Sequence, residues 1–182
     1  MAYQVPGLAN STGMTVFEPL PAGEYLLKVV ALETTDKVEG NTVVGTTFAY
    51  ESVVENADNL PEGTEKSDVV GRSFKDFIFV MTPDHPKYSE KTKRGTPMGM
   101  IGVDTLKSFL DSVGVAIRAD GFNEKAPIGR YFEATVGTRT YKDKTGADRT
   151  GNQINAYRPA GDVGSASETD AEIPAGFEDD LA

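Results

Sequence analysis

The chain has 182 residues, of which 38% are hydrophobic and 25% charged, and its formal net charge is −10. This composition is typical of a soluble globular domain, and no run of about 18 apolar residues predicts a membrane span. Cysteine is absent and His85 is the only histidine, which excludes disulfides, thiolate nucleophiles and histidine-rich metal sites. The first residues lack the basic and apolar regions of a secretory signal, so we expect a cytoplasmic protein.

The charges are unevenly distributed along the chain. Residues 1–71 contain three basic and eleven acidic residues, whereas residues 72–94 contain six basic and three acidic ones. Residues 125–158 contain seven basic and three acidic residues, and residues 161–182 contain seven acidic residues and no basic one. We therefore expect two locally basic segments in an acidic protein, with the acidic first part turned away from any polyanionic ligand.

Three segments in the first half of the chain predict β-strands. Residues 21–33 alternate between apolar and polar positions, after which 36–41 supplies turn residues, and residues 42–54 are rich in β-branched and aromatic types. The polar segment 55–68 contains proline and glycine and predicts a loop, and residues 69–81 predict the third strand. The segment 82–97 has three prolines among its residues and predicts a long, mobile, basic loop.

The segment 102–115 predicts the only helix, because its apolar residues recur at i, i+3, i+4 and i+7. Asp104 suits the first turn of such a helix, and Gly114 suits its C-terminal stop. The apolar stripe consists of Leu106, Phe109, Leu110 and Val113.

Residues 129–141 and 152–159 predict the fourth and fifth strands, joined by a charged connection rich in turn residues. Three strands, one helix and two strands is the order of the OB-fold, a five-stranded Greek-key barrel with its helix between strands three and four. A β-sandwich or another small barrel shares this order. The fold class is mainly β, and the expected organisation is an N-terminal extension over 1–16, one OB domain over 17–159 and a disordered acidic tail over 160–182.

Basic and aromatic residues interleave in several of these segments, as binding of single-stranded nucleic acid requires. The alternative for each segment is a solvated charged surface, with the aromatic residues packed in the core. On strand three, either the set of Lys75, Phe77 and Phe79 or the set of Phe74, Ile78 and Val80 faces the core. The candidate DNA-binding residues are Tyr50, Arg72, Lys75, Phe77, Lys91, Lys93, Arg94, Tyr131, Arg139, Tyr141, Lys142, Lys144, Arg149, Tyr157 and Arg158.

Four stretches, "PLPAGEYLLKVV", "GRYFEATV", "NQINAYRP" and the terminal "GFEDDLA", together resemble phage-encoded single-stranded DNA-binding proteins. The resemblance covers most of residues 17–182 and implies an OB domain that holds single-stranded DNA. It also implies an acidic tail that recruits replication and recombination proteins and competes with DNA for the basic groove. The bacterial members end in acidic residues followed by Ile-Pro-Phe, whereas this chain ends in Leu-Ala. The tail residues to which the resemblance assigns this role are Phe177, Glu178, Asp179, Asp180 and Leu181.

The expected function is therefore sequence-independent binding and protection of single-stranded DNA in phage replication and recombination. No catalytic spacing, phosphate-binding loop or metal-ligand pattern occurs, so we expect neither an enzyme nor a cofactor. A structural or protein-interaction β-barrel with an acidic solubility tail is the alternative function. Self-association stays open, and no feature of the sequence distinguishes DNA from RNA as the ligand.

Overall fold

The computed structural model describes residues 18–119, 121–142 and 145–161. Five strands and one α-helix follow one another in the predicted order, and this part of the fold prediction is confirmed. The strands are β1 (Gly23–Glu39), β2 (Thr42–Asp58), β3 (Ser73–Met81), β4 (Tyr131–Lys142) and β5 (Asp148–Pro159). The helix α1 covers Met98–Ser112, and one turn of 3-10 helix covers Lys66–Asp68.

All five strands belong to one antiparallel sheet, in the order β3-β2-β1-β4-β5. The central strand β1 pairs with both β2 and β4, so β3 and β5 are the two edges. The described residues show no backbone pairing between these edges, and the sheet is therefore open rather than closed into a barrel. Helix α1 packs against both edge strands and covers the space between them.

The core forms where alternating strand residues meet one face of α1. The predicted alternation in β4 is confirmed, because Phe132, Ala134 and Val136 are all buried. Phe109 and Leu110 of the helical stripe are buried against these strands. On β3, the set that includes Phe74, Ile78 and Val80 faces the core, which decides between the two sets of alternating residues. Strand β1 contributes Tyr25, Leu27 and Val29 to the core.

Strands β1 and β2 are each longer than the sequence predicts. The predicted turn over 36–41 shrinks to two residues, Gly40 and Asn41, with Gly40 at a φ of 65°. Glycine is the residue that adopts this left-handed conformation without strain. At the other end, β2 continues to Asp58 in what was predicted as a loop, because Ala57 is buried opposite Tyr25 of β1.

Helix α1 begins at Met98, four residues before the predicted start, and Pro97 is its N-cap residue. The predicted place of Asp104 in the first turn is therefore wrong, since this residue lies in the middle of the helix. The prediction missed the first turn of the helix because two glycines lie in that region, and glycine lowers helix propensity. The predicted stop is confirmed, since Gly114 follows the helix at a φ of 64°.

A β-bulge in β5 changes which side chains of that strand face the core. Ala156 pairs with Thr135 and Ile154 pairs with the next residue, Val136, so Asn155 has no partner of its own on β4. Because one extra residue reverses the alternation, Ile154 and Tyr157 both pack against the core despite their opposite parity.

The segment 82–97 is a succession of turns linked to the start of α1. The backbone carbonyl of Glu90 accepts a hydrogen bond of 2.8 Å from the N–H of Met98, and the backbone carbonyl of Tyr88 accepts one of 3.0 Å from the N–H of Gly99. The predicted N-terminal extension over 1–16 and almost all of the predicted tail lie outside the described residues. No helix in the part of the chain that the structure describes is long and apolar enough to span a membrane.

Candidate nucleic-acid interface

Three candidate residues of the β4–β5 hairpin lie together on the outer face of the sheet. Arg149 is directly opposite Tyr141, and Gly151 is opposite Arg139, so these side chains share a face. The guanidinium carbon of Arg139 is 6.0 Å from the centroid of the Tyr141 ring. Tyr141 is 49% exposed, and its ring extends over Gly151, where a Cβ atom would approach it to 3.1 Å. An accessible ring thus lies beside the guanidinium group of Arg139, with Arg149 at the opposite position of β5.

The remaining basic candidates of the hairpin differ from this group. Lys142 lies on the other face and forms a salt bridge of 3.0 Å with Asp148. Lys144 lies outside the described residues. An exposed salt bridge of this kind stabilises a fold by about 0–1 kcal/mol, so a phosphate group competes readily with Asp148 for the ammonium group of Lys142.

The outer face of β3 presents a second exposed aromatic side chain. Phe77 is 58% exposed and lies two residues from Lys75 on the same face. Lys75 forms a salt bridge of 3.2 Å with Glu51 of β2. The hydrogen bond from Lys75 lowers the pKa of the Glu51 carboxyl, which keeps this carboxylate charged beside any approaching phosphate. This face therefore offers a stacking ring whose neighbouring ammonium group is paired with a carboxylate.

Three other candidates are engaged with protein groups. Arg158 donates a hydrogen bond of 2.8 Å to Glu24 of β1, and this bond is the main cause of the lowered pKa of the Glu24 carboxyl. Arg72 donates to the backbone carbonyl of Glu18. The ring of Tyr131 is half-buried, with the ammonium group of Lys28 5.3 Å from its centroid.

Two tyrosines predicted to contact a ligand instead belong to the protein interior. Tyr50 is only 2% exposed and stacks on Phe109 of α1, so it cannot offer its ring to a base. Tyr157 was predicted to face outward with Tyr131, but the β-bulge turns it inward, where it packs against Phe132. The hydroxyl groups of the two tyrosines are 3.0 Å apart. Both residues are therefore removed from the candidate interface.

Burial perturbs both of these hydroxyl groups and one carboxyl group beside them. It raises the pKa of Tyr157 to about 12, and it raises that of Tyr50 well above its ordinary value. Asp76 of β3 lies 3.5 Å from the Tyr50 hydroxyl, and burial raises the pKa of this carboxyl also. Sequence reasoning missed Asp76, although it shares the parity of Phe74 and Ile78, which was the available signal.

The loop 82–97 places Lys91, Lys93 and Arg94 in solvent. The side-chain hydroxyl of Thr92 accepts hydrogen bonds from the backbone N–H groups of Arg94 and Thr96, at 3.3 and 3.2 Å. These three basic residues thus form a separate positively charged surface next to the start of α1.

An apolar cleft of about 700 Å³ runs beside α1, between Leu106 and Phe122. It adjoins a second cleft of about 480 Å³ that is lined in part by Arg118 and Arg130. Arg130 donates a hydrogen bond of 2.8 Å to the carbonyl of Gly114 and so caps the helix end. This side of the molecule offers apolar surface rather than exposed aromatic rings between cations.

Within residues 18–119, 121–142 and 145–161, no group of three or more histidine, aspartate or glutamate side chains could hold a metal ion. The tail residues Phe177–Leu181 are outside these ranges. No protein-family model matches the chain, and no curated protein is significantly similar to it.

Proposed function

We propose that this protein binds single-stranded DNA without sequence preference, through the outer face of the β4–β5 hairpin. It coats and protects the strand during phage replication or recombination, and its acidic tail competes with DNA and recruits partner proteins. The observation that carries the proposal is the exposed ring of Tyr141, which has the guanidinium carbon of Arg139 6.0 Å from its centroid and Arg149 at the opposite position of β5. Binding of single strands combines such rings, on which bases stack, with cations that contact the phosphates.

The strand order supports an OB-fold as the scaffold for this activity. Strand β1 pairs with both β2 and β4, and α1 lies between β3 and β4 in the chain and packs against both edge strands. An OB-fold is a partly open Greek-key barrel that uses the connection between its strands four and five to bind oligonucleotides. The hairpin that carries Tyr141 is that connection. The proposal therefore assigns the binding role to a place where this fold commonly binds.

The test is fluorescence anisotropy of labelled oligo-dT in a salt titration. Tyr141→Ala removes a stacking ring, which is worth about 1–3 kcal/mol, so we expect about 5- to 150-fold weaker binding. Arg139→Ala removes one phosphate contact, and we expect the slope of log K against log salt to fall by about 1. Absence of binding by the unmodified chain at about 50 mM salt would contradict the proposal.

Two control variants separate the interface from general effects. Tyr141→Phe keeps the ring and loses only the hydroxyl group, so its affinity should stay close to that of the unmodified protein. Arg118→Ala removes an equal charge from the loop after α1 and should leave the salt slope nearly unchanged. If Arg118→Ala weakens binding as much as Arg139→Ala does, the hairpin is not the binding face, even though DNA binding itself stands.

The apolar cleft beside α1 favours one alternative, a protein-interaction domain with an acidic solubility tail. Its partner would contact Leu106 and Phe122 rather than the hairpin. A chain that binds no oligo-dT at low salt, but loses a protein partner when Ile117 at the cleft is changed to Glu, would have this function.

A further inference from the structure

The apolar cleft beside α1 leaves hydrophobic side chains uncovered on the surface. Val103 of the helix is 39% exposed, and Ile117, in the segment that follows the helix, is 47% exposed. The cleft has a volume of about 700 Å³, which lies in the range of about 300–1,000 Å³ that small-ligand sites occupy. Among the described residues, Lys107 and Asp111 are the charged ones that line it, and they form a salt bridge with each other. The cleft is therefore suited to an apolar group.

The second, smaller cleft continues from the first and adds positive charge. Val115 and Phe122 line both clefts, so the two form one surface, which we call the α1 groove. Arg118 and Arg130 line the second part, and none of the described residues that line it is acidic. One nitrogen of Arg130 donates to the carbonyl of Gly114, but the Arg118 guanidinium has no partner among residues 18–119, 121–142 and 145–161. The α1 groove therefore combines an apolar part with a cationic part.

The last residues of the chain have the matching chemistry. Phe177 supplies an aromatic side chain, and the next three residues, Glu178, Asp179 and Asp180, are acidic. In an extended peptide of this sequence, side chains alternate, so Phe177 and Leu181 share one side and Glu178 and Asp180 the other. Such a peptide offers apolar groups to one part of the α1 groove and carboxylates to the other.

The C-terminal segment is also long enough to reach the α1 groove of the same molecule. Tyr157, two residues before the end of β5, contacts Phe109 of α1, so the chain leaves the sheet close to this helix. Phe177 is the sixteenth residue after Gly161, and a chain of that length spans at most about 55 Å. A domain of this size has a radius of gyration of about 15 Å. A short flexible connection gives its end a local concentration on the order of mM, so even weak docking is populated.

We propose that residues 173–181 dock in the α1 groove of the same molecule, with Phe177 in the apolar part beside Ile117 and the following carboxylates against Arg118 and Arg130. This inference goes beyond the proposed function, because it gives the tail a site of its own. The residues that line the groove lie between positions 103 and 130, so none belongs to the β4–β5 hairpin. A docked tail closes the groove to partner proteins and leaves the hairpin open, and the tail competes with DNA only after its release.

The test places a nitroxide spin label at the end of the chain and uses no nucleic acid. Ala182→Cys introduces the only cysteine of the chain, to which the label is attached. In 15N-labelled full-length protein, the label should broaden the backbone amide signals of Ala116, Ile117 and Phe122, and chemical reduction of the label should restore them. The amide signals of the hairpin around Tyr141 should keep their intensity.

Substitution of Phe177 tests the apolar anchor. Phe177→Ala removes the ring and keeps every charge, and a buried aromatic anchor of this kind contributes about 30-fold or more to affinity. Broadening at the α1 groove should therefore nearly vanish in this variant. Val163→Ala shortens an apolar residue near the start of the same segment and should leave the broadening unchanged. Equal broadening with and without the Phe177 ring would overturn the proposal.

Charge reversal tests the cationic part of the groove. Arg118 is exposed, so we expect Arg118→Glu to keep the fold and to weaken the broadening. Adding Asp179→Arg to that variant should restore part of it, since opposite charges meet again in reversed order. Lys87→Glu is an equal charge change at an exposed position that lines neither part of the groove, and it should have no effect. Unchanged broadening in Arg118→Glu would contradict the contact between the carboxylates and the arginines.

A mixed sample separates docking within one molecule from docking between two copies. It contains 15N-labelled chains without a spin label and spin-labelled chains without 15N. Docking within one molecule predicts that the groove signals keep their intensity in this sample. Broadening as strong as in the singly prepared protein would assign the groove to the tail of a second copy and overturn the proposal. Absence of broadening at the groove of the spin-labelled chain, or broadening centred on Tyr141, would overturn it as well.

Discussion

The side chain of Asn152 on β5 binds the segment of the chain that precedes β1. Its side-chain nitrogen donates a hydrogen bond of 2.8 Å to the carbonyl of Leu20, and its oxygen accepts one of 2.8 Å from the N–H of the same residue. Leu20 is only 1% exposed, so these two bonds satisfy backbone groups that have little access to water. One amide thus joins parts of the chain that are 132 residues apart in sequence.

We expect Asn152→Ala to lower the free energy of unfolding by about 1–3 kcal/mol, because it leaves a backbone donor and acceptor near Leu20 without partners. Urea unfolding followed by circular dichroism measures the loss. The neighbouring change Gln153→Ala, at an exposed position of the same strand, should cost less than about 0.5 kcal/mol. Equal losses in the two variants would show that the amide bonds of Asn152 do not stabilise the fold.

At the residue scale, strand parity predicted which side chains share a face but not which face is buried. Phe74, Asp76 and Ile78 were separable from Lys75 and Phe77 on sequence alone. The choice between the two sets depends on where α1 packs, which is a tertiary contact that no local pattern contains. Tyr157 was misplaced for a second reason, because nothing in the sequence around Asn155 marks the β-bulge.

Two glycines allow α1 to lie unusually close to its neighbours. A Cβ atom at Gly102 would lie 2.0 Å from the backbone oxygen of Phe79 on β3, and one at Gly99 would lie 2.3 Å from the ring of Tyr88. Contacts below 3.0 Å require the neighbour to move, and a strand backbone moves at greater cost than a flexible side chain. The helix therefore keeps residues of low helix propensity because their missing side chains permit this packing.

Gly102→Ala gives opposite expectations from helix propensity and from packing. Propensity alone predicts a gain of about 1 kcal/mol, whereas separation of α1 from β3 predicts a net loss of about 1–3 kcal/mol. We expect the packing effect to dominate, and thermal unfolding checks the sign. Gly63→Ala has open space around the new Cβ but a φ of 85°, so it isolates backbone strain from the clash. A stabilised Gly102→Ala variant would mean that the helix shifts freely.

At the scale of the whole molecule, the sequence predicted the order of elements correctly and the closure of the sheet incorrectly. Order follows from local periodicity and turn residues, which each segment carries by itself. Closure depends on whether β5 pairs with β3. No local pattern predicts this pairing, because the long loop, α1 and β4 separate the two strands in the sequence. The uneven charge of the sequence is also found in the fold. Arg139 and Arg149 are exposed on the hairpin, whereas Glu24 and Glu51 belong to the acidic first part of the chain.

Removal of the acidic tail tests the electrostatic part of the proposed function. A chain cut after Pro159 loses seven acidic residues and no basic one, so we expect several-fold tighter binding to oligo-dT at about 50 mM salt. The difference should shrink at higher salt, because the screening length is about 10 Å at 0.1 M. Anisotropy titrations of both chains measure it.

A full-length variant separates the charge of the tail from its bulk. Replacing Glu178, Asp179 and Asp180 by their amides keeps the length and removes three charges. This variant should bind with an affinity between those of the full and cut chains. If it binds like the full chain while the cut chain binds more tightly, steric exclusion rather than competition with phosphate accounts for the effect.

The contact between the hydroxyl groups of Tyr50 and Tyr157 also bears on the width of the open sheet. In a closed barrel, neighbouring strands are about 4.8 Å apart, a spacing that the backbone imposes on every sequence. Here the space between β2 and β5 is bridged by two tyrosine side chains placed end to end, with their hydroxyl oxygens 3.0 Å apart. A shorter or longer side chain at either tyrosine position would change this distance without removing a backbone pair, so single substitutions can alter the width of the domain.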